Sequence, residues 1–335
     1  MSRCLFTIIC GALLLCPACT RQHLDTQPEL FSVTFVLDGG SVGGSSTRAT
    51  AVADEESVAE ACLYFVNSSG VVIDAVSSSE KTILRNFETG TYKAYYVANS
   101  GLEVNSFTSE SEISSYVLSL ASQTGSFSMF AYKSFRVPED RICTITAERL
   151  VSKVEIDKIS VDFSQYPDLS AQTFTIDSIY LINVAGESVL ADGTTFLPAT
   201  SSWINKRSYV PGTYDALLCD AVGRTVTASS PHSSAHYFYC FQNNASADSH
   251  SEGWDARYTR LVIACTIGTT KTYYPINIVG PGGRLSRNCR YIISELIITD
   301  IGNRGPDEEL TGSMPYRFSS DVMTWEGTHT ISERF

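Results

Sequence analysis

"FSVTFVLDGGSVGGSSTRATAVADEES", residues 31–57, joins two unlike kinds of chain. Phe31, Val33, Phe35 and Leu37 alternate with Ser32, Thr34, Val36 and Asp38, a period of two that predicts a β-strand with one face made for burial. Gly39, Gly40, Gly43 and Gly44, interleaved with Ser41, Ser45 and Ser46, then compose an accessible loop of the kind proteases cut. Arg48 is the only arginine or lysine between Arg21 and Lys81, so a protease that requires a basic residue has one target there, with Ala49 as the new first residue.

Strand grammar continues along most of the 335 residues, as short alternating runs punctuated by Gly, Asn, Asp and Ser. In "GTYKAYYVANSG" Tyr92, Ala94, Tyr96 and Ala98 share a face until Asn99-Ser100-Gly101 ends the run. In "TFTIDSIYLINVAGES" the same reading groups Phe174, Ile176, Tyr180, Ile182 and Val184. One helix is expected between them: Ser109 and Glu112 form a capping box, and Ile113, Tyr116, Val117 and Leu120 follow at helical spacing. The expected fold class is therefore all-β, mainly strands with one or two short helices, arranged as two antiparallel β-sandwich domains. The boundary is placed at residues 147–150, giving domains 49–147 and 148–335. Just beyond it Val154 and Ile156 are in one phase and Ile159, Val161 and Phe163 in the other, which calls for a bulge or turn between them.

The leader is of another kind. Arg3, an apolar run over residues 5–16 and then Pro17-Ala18-Cys19 read as a secretory signal peptide, residues 1–19. A cysteine after a small residue at that point is similar to a bacterial lipobox, with Cys19 as the lipid-bearing residue; ordinary cleavage with an incidental Cys19 is the alternative. Residues 20–48 are then a propeptide that carries the removable strand Phe31, Val33, Phe35, Leu37. A lipid on Cys19 would attach the precursor to a membrane by acyl chains alone.

The far end mirrors the front. In "MTWEGTHTISERF", residues 323–335, Met323, Trp325, Ile331 and Phe335 lie on one face, with His329 and Glu333 interrupting it. Residues 316–335 are thus a second one-faced strand, and either pair within their own domain or are offered outside it.

A net charge of -12 excludes a nucleic-acid partner, because phosphate binding needs a basic surface. A nucleophile elbow, a phosphate loop and a zinc-protease helix motif are all missing, and neither a catalytic residue nor a cofactor is assigned. His232 and His236 are four apart, yet run into an aromatic strand without a third ligand nearby, so no metal is assigned. "DIGNRGPDEE", residues 300–309, lacks the ligand spacing of a calcium loop and reads as solvated. "GPGG" at 280–283 joins two strands and opens no helix, so it is no phosphate cradle. Cys62, Cys143, Cys219, Cys240, Cys265 and Cys289 show no metal spacing, and six cysteines allow fifteen pairings among which the sequence does not choose.

Several segments resemble one family. "TRATAVADEESVAEACLYFVNSSG" is similar to the processing site of the FimA-type fimbrillins, shaft subunits of the type V pili of Gram-negative bacteria. "ERLVSKVEI", "FTIDSIYLINV", "HYFYCFQN", "TRLVIACT", "YYPINI" and "RNCRYIISELIITDIGNRGPDEE" are similar to segments of that family in the same order. The resemblance implies transthyretin-like sandwich domains and a lipidated precursor at the outer membrane. It further implies that an Arg-specific extracellular protease cuts after Arg48, and that the groove left by the lost strand is filled by a neighbour's C-terminal strand. A strand donated head to tail is a heterologous contact that grows an open filament. The implied partners are other copies of the chain, related fimbrial subunits, and host or bacterial surface ligands, at a cell-surface fimbrium serving adhesion and biofilm formation. The alternatives are an uncleaved anchor, a tip subunit, or a monomeric surface lipoprotein that binds glycan or host protein through Trp203, Trp254 and the loop around them.

Overall fold

The computed structural model describes residues 29–38, 58–191, 193–247, 253–280, 282–308 and 320–324. Among the described residues it is mostly β, with three short α-helices, and its sheets form an all-β sandwich fold.

The first half comprises β1 (Phe31–Asp38), β2 (Ala61–Asn67), β3 (Val72–Ser77), β4 (Thr82–Phe87), β5 (Gly90–Ala98), α1 (Glu110–Ser115), β6 (Val117–Ser119), β7 (Met129–Val137), β8 (Ile142–Thr146) and β9 (Glu148–Arg149). A three-stranded sheet, β4-β1-β8, packs on a five-stranded sheet, β3-β2-β5-β7-β9. Alternation decides which side chains meet: Leu63, Phe65, Ala94, Tyr96, Ala98 and Phe135 face Val33, Phe35 and Leu37. The opposite face of the five-stranded sheet is covered too, since Tyr64, Tyr95 and Phe130 join the core of the second half, and every residue of β2 up to Val66 is buried. Strand β5 ends at Asn99, whose φ of 52° turns the chain out of the sheet. Its side chain accepts from Ala59 N and donates to Phe127 O, which holds the turn.

Beyond Arg149 come β10 (Val151–Ile156), β11 (Ile159–Val161), α2 (Pro167–Ser170), β12 (Phe174–Ile182), β13 (Val184–Ala185), β14 (Glu187–Val189), β15 (Trp203–Ile204), α3 (Asp215–Leu218), β16 (Cys219–Val226), β17 (His236–Phe241), β18 (Arg260–Ile267), β19 (Thr270–Asn277), β20 (Cys289–Ile293), β21 (Leu296–Ile298) and β22 (Ser320–Thr324). Sheets β17-β10-β20-β22 and β16-β12-β18-β19 enclose the larger core. The chain passes from the five-stranded sheet to the first of these between Arg149 and Val151.

Three details depart from what the sequence leads one to expect. Three strand pairs are parallel rather than antiparallel: β1 with β8, β10 with β20 and β11 with β21. The capping box forms, with Ser109 accepting from Glu112 N at 3.4 Å and the Glu112 carboxylate accepting from Thr108 N at 2.7 Å. The helix nevertheless stops at Ser115, because residues 117–119 pair with β14 from the second half of the chain; Val117 is in a strand, and Leu120 opens a separate 3-10 helix, Leu120–Thr124. Finally, Phe174 and Ile176 share a core with Ile179 and Leu181, whereas Tyr180 and Ile182 face the other side with Val262. The register of β12 shifts between Ile176 and Ser178, and a bulge with one extra residue reverses the phase beyond it.

The change of phase after Ile156 is a break between sheets: β10 and β11 pair with β20 and β21 on either side of residues 157–158.

Candidate functional site: the groove of the first strand

Strand β1 lies in the middle of its sheet. It runs antiparallel to β4, with Phe31 opposite Phe87 and Phe35 opposite Ile83, and parallel to β8, with Thr34 opposite Ile142 and Leu37 opposite Ile145. Hydrogen bonds from Thr34 N to Arg141 O at 2.9 Å and from Leu37 N to Lys81 O at 2.8 Å extend the two ladders. Strands β4 and β8 do not pair with each other. Were β1 removed, both would present unpaired backbone to one groove, one wall antiparallel to β1 and the other parallel.

The floor of that groove is apolar and aromatic. Val33 and Phe35 are fully buried and Leu37 nearly so. The Phe35 ring sits 4.9 Å from Phe65 and 5.2 Å from Phe135, centroid to centroid. Phe31, at the mouth, is only partly buried and lies under the Arg141 guanidinium at 4.7 Å. Burying three full apolar side chains contributes roughly 1.5–3 kcal/mol each, so β1 supplies about 5–9 kcal/mol, comparable to the net stability of a domain.

Of the other residues singled out from the sequence, Cys19, Arg48, Ala49, Trp325, Ile331 and Phe335 lie outside the described residues. Met323 is on β22, which runs antiparallel to β20 within its own chain, with Met323 opposite Arg290. Among the described residues strand β22 has a partner on one side only, at the end of its sheet. The contrast with β1 is topological: an edge strand leaves without splitting a sheet, and a central strand does not.

The aromatic pair considered for ligand binding is mostly internal. Trp203 is buried, donates to Pro198 O at 3.3 Å and packs on Trp254 at 5.7 Å, and Trp254 in turn carries the Arg257 guanidinium at 5.0 Å. His232 and His236 meet through their Nε2 atoms at 2.7 Å, and His236 Nδ1 meets Asp220 at 2.9 Å. Among the described residues no three His, Cys, Asp or Glu side chains are grouped as metal ligands. The "DIGNRGPDEE" loop is less solvated than its composition suggests. Its Asp307 is the shared counter-ion of the buried Arg257, at 2.9 Å, and Arg260, at 3.3 Å, and accepts from Asn183 at 2.7 Å. Sequence reading missed this cluster because three strand-end polar residues and one loop carboxylate are far apart in the chain.

The fold described above has solved counterparts. A fimbrilin from Porphyromonas gingivalis superposes with a TM-score of 0.60 at 15% identity, over 90% of this chain and 98% of that one. The chain has the fold of a fimbrilin. Candidate cell adhesion proteins from Bacteroides eggerthii (TM-score 0.64, 16% identity, 89% of this chain and 97% of that one) and Parabacteroides distasonis (0.59, 14%, 89% and 100%) share that fimbrilin fold. No protein-family model matches the chain, and no curated protein matches it.

Proposed function

We propose that the protein is a structural subunit of a surface fimbrium that polymerises by strand exchange. The observation that carries this reading is the position of β1, bonded on both sides by strands that are not bonded to each other, ahead of a segment with the single basic residue Arg48. In this reading the chain is exported with a lipid on Cys19 and cut between Arg48 and Ala49 by an Arg-specific extracellular protease. The groove between β4 and β8 then accepts residues 316–335 of the next subunit, with Met323, Trp325, Ile331 and Phe335 on the inserted face. For that, β22 of the donor must leave β20, which its edge position makes the least disruptive departure. The partners are other copies of the chain and related fimbrial subunits, with host or bacterial surface ligands beyond them. The precursor belongs at the outer membrane and the product in the fimbrium. The role is structural rather than catalytic, and the units that exchange strands are taken as residues 49–147 and 148–335.

A stable groove cannot stand empty, since it would expose aromatic side chains and two strand edges at once. Removal of β1 and its replacement are therefore one coupled event. A second reading, an uncleaved anchor or a monomeric surface lipoprotein, is favoured by β22 closing its own sheet. The mass of the intact chain recovered from the cell surface separates the two. A start at Ala49 supports the polymerising subunit, and a lipidated start at Cys19 overturns it in favour of the anchor. Deleting residues 328–335 leaves export intact and abolishes polymers; normal filaments from that truncation would sink strand donation.

A further inference from the structure

Alternation sets what a strand must carry to take the place of β1. The positions of Val33, Phe35 and Leu37, spaced by two, open onto the core, the first two fully buried and the third nearly so. The position of Phe31 sits at the mouth instead, beneath Arg141. Arg141 is exposed and leans on β1: its guanidinium lies 4.7 Å from the centre of the Phe31 ring and donates to Ser32 O at 3.5 Å. Among the described residues no carboxylate pairs with it. Both contacts go when β1 goes, and a cation is then left at the entrance of the groove.

Few registers of the incoming segment meet these demands. On the face that carries Met323, Trp325, Ile331 and Phe335, only Met323 and Trp325 are apolar neighbours two residues apart. Ile331 stands between His329 and Glu333, and Phe335 follows Glu333, so a register centred on either would bury an ionisable group. Met323 and Trp325 therefore belong at the two fully buried positions. In the sense of β1, Met323 replaces Val33, Trp325 replaces Phe35, Gly327 falls at Leu37, and Asp321 falls at Phe31 under the guanidinium. In the opposite sense the same pair would carry Asp321 to the Leu37 position and bury its carboxylate. Strand β22 already holds Asp321 and Met323 in one alternation phase, opposite Ile292 and Arg290. Tyr316 and Phe318 form a second apolar pair on the other face, but that register puts Pro315 in place of Ser32. Proline lacks the N–H that a central strand needs.

We propose that Arg141 selects the incoming strand, pairing with Asp321 of a second copy of the chain while Met323 and Trp325 fill the Val33 and Phe35 positions. This rests on the strand-exchange reading. A guanidinium fork matches a carboxylate, and a charge pair at a rim acts on encounter and register more than on holding strength. The apolar pair thus holds the strand and the ion pair chooses it. Ile331 and Phe335 then lie past the Leu37 end of the groove, and Gly327 leaves the Leu37 position short of a side chain.

The test is a charge swap read on surface polymers from cells that make the native full chain, Arg141→Glu, Asp321→Arg, or both substitutions together. The mass of the intact chain checks for a start at Ala49 in each. Arg141→Glu changes an exposed side chain and should leave unfolding of the precursor unmoved. Each single reversal should lower the polymer at least about fivefold, because like charges then meet at the mouth. The double reversal should restore it to within about twofold of native. Gly327→Leu, which fills the Leu37 position, should slow release of subunits from isolated polymers in urea at least about fivefold. Single reversals without effect, a loss that the double reversal leaves unrepaired, or unchanged release with Gly327→Leu would each overturn the register and leave strand exchange standing. A native chain that starts at Ala49 and forms no polymer would overturn strand exchange itself, and the register with it.

Discussion

Phe35 of the first strand rests against Phe65 of the facing sheet, ring centroids 4.9 Å apart and planes at 53°. The contact joins the two layers of the first sandwich at a strand that the proposed maturation removes, so whatever replaces β1 must refill this position. Phe35→Ala in the uncut protein should cost about 3–5 kcal/mol, as for a fully buried phenylalanine. Phe31→Ala, at the half-open mouth, should cost about 1 kcal/mol or less. Urea unfolding of the two variants, with unchanged slope, checks the ratio.

Asp307 carries more than its loop position suggests. Asp307→Ala removes the carboxylate shared by Arg257 and Arg260, each about 1% exposed, and breaking a buried pair from one side costs about 3–5 kcal/mol. Asp307→Asn, which keeps an acceptor, should lose less. Chemical denaturation orders the three proteins as native, Asn, Ala.

Acidification should weaken the fold through His232. Burial, and then the neighbouring His236 and Arg224, hold its pKa below the usual 6.5 in the folded chain. A depressed folded pKa contributes stability that is full above the unfolded value and is lost as pH falls through the folded one. The urea midpoint of the native protein should therefore drop between about pH 7 and pH 5.5. His232→Gln should flatten that slope, with Asp220 still facing His236. An unchanged slope would assign the pH dependence to other groups.

Thiol labelling should follow burial. All six cysteines among the described residues are free. Burial raises the Cys240 thiol to about 12 and Cys265 well above its ordinary value, which leaves almost no thiolate to react. Cys219 and Cys289, the two partly exposed thiols, should label first in the native protein. The remaining four should label only on unfolding, which mass spectrometry of the tryptic peptides resolves.

Much of this was legible in the residues themselves. Period-two alternation is a local property, so the strand at Phe31–Asp38, the β5 face of Tyr92, Ala94, Tyr96 and Ala98, and the turn at Asn99 could be read directly. So could the all-β class, because short apolar runs between turn residues have no other compact solution. What resisted reading depends on partners distant in the chain. The helix after Ser109 stops early because β14, some seventy residues on, claims residues 117–119. The phase of β12 reverses at a bulge that no alternation count reveals. The sequence by itself determined the one-faced strand at Phe31–Asp38 and that Arg48 stands alone between it and the rest. Only the tertiary structure decided that β1 is central and that β22 is, among the described residues, an edge, since pairing order is set by which backbone edges remain free once the sheets have packed.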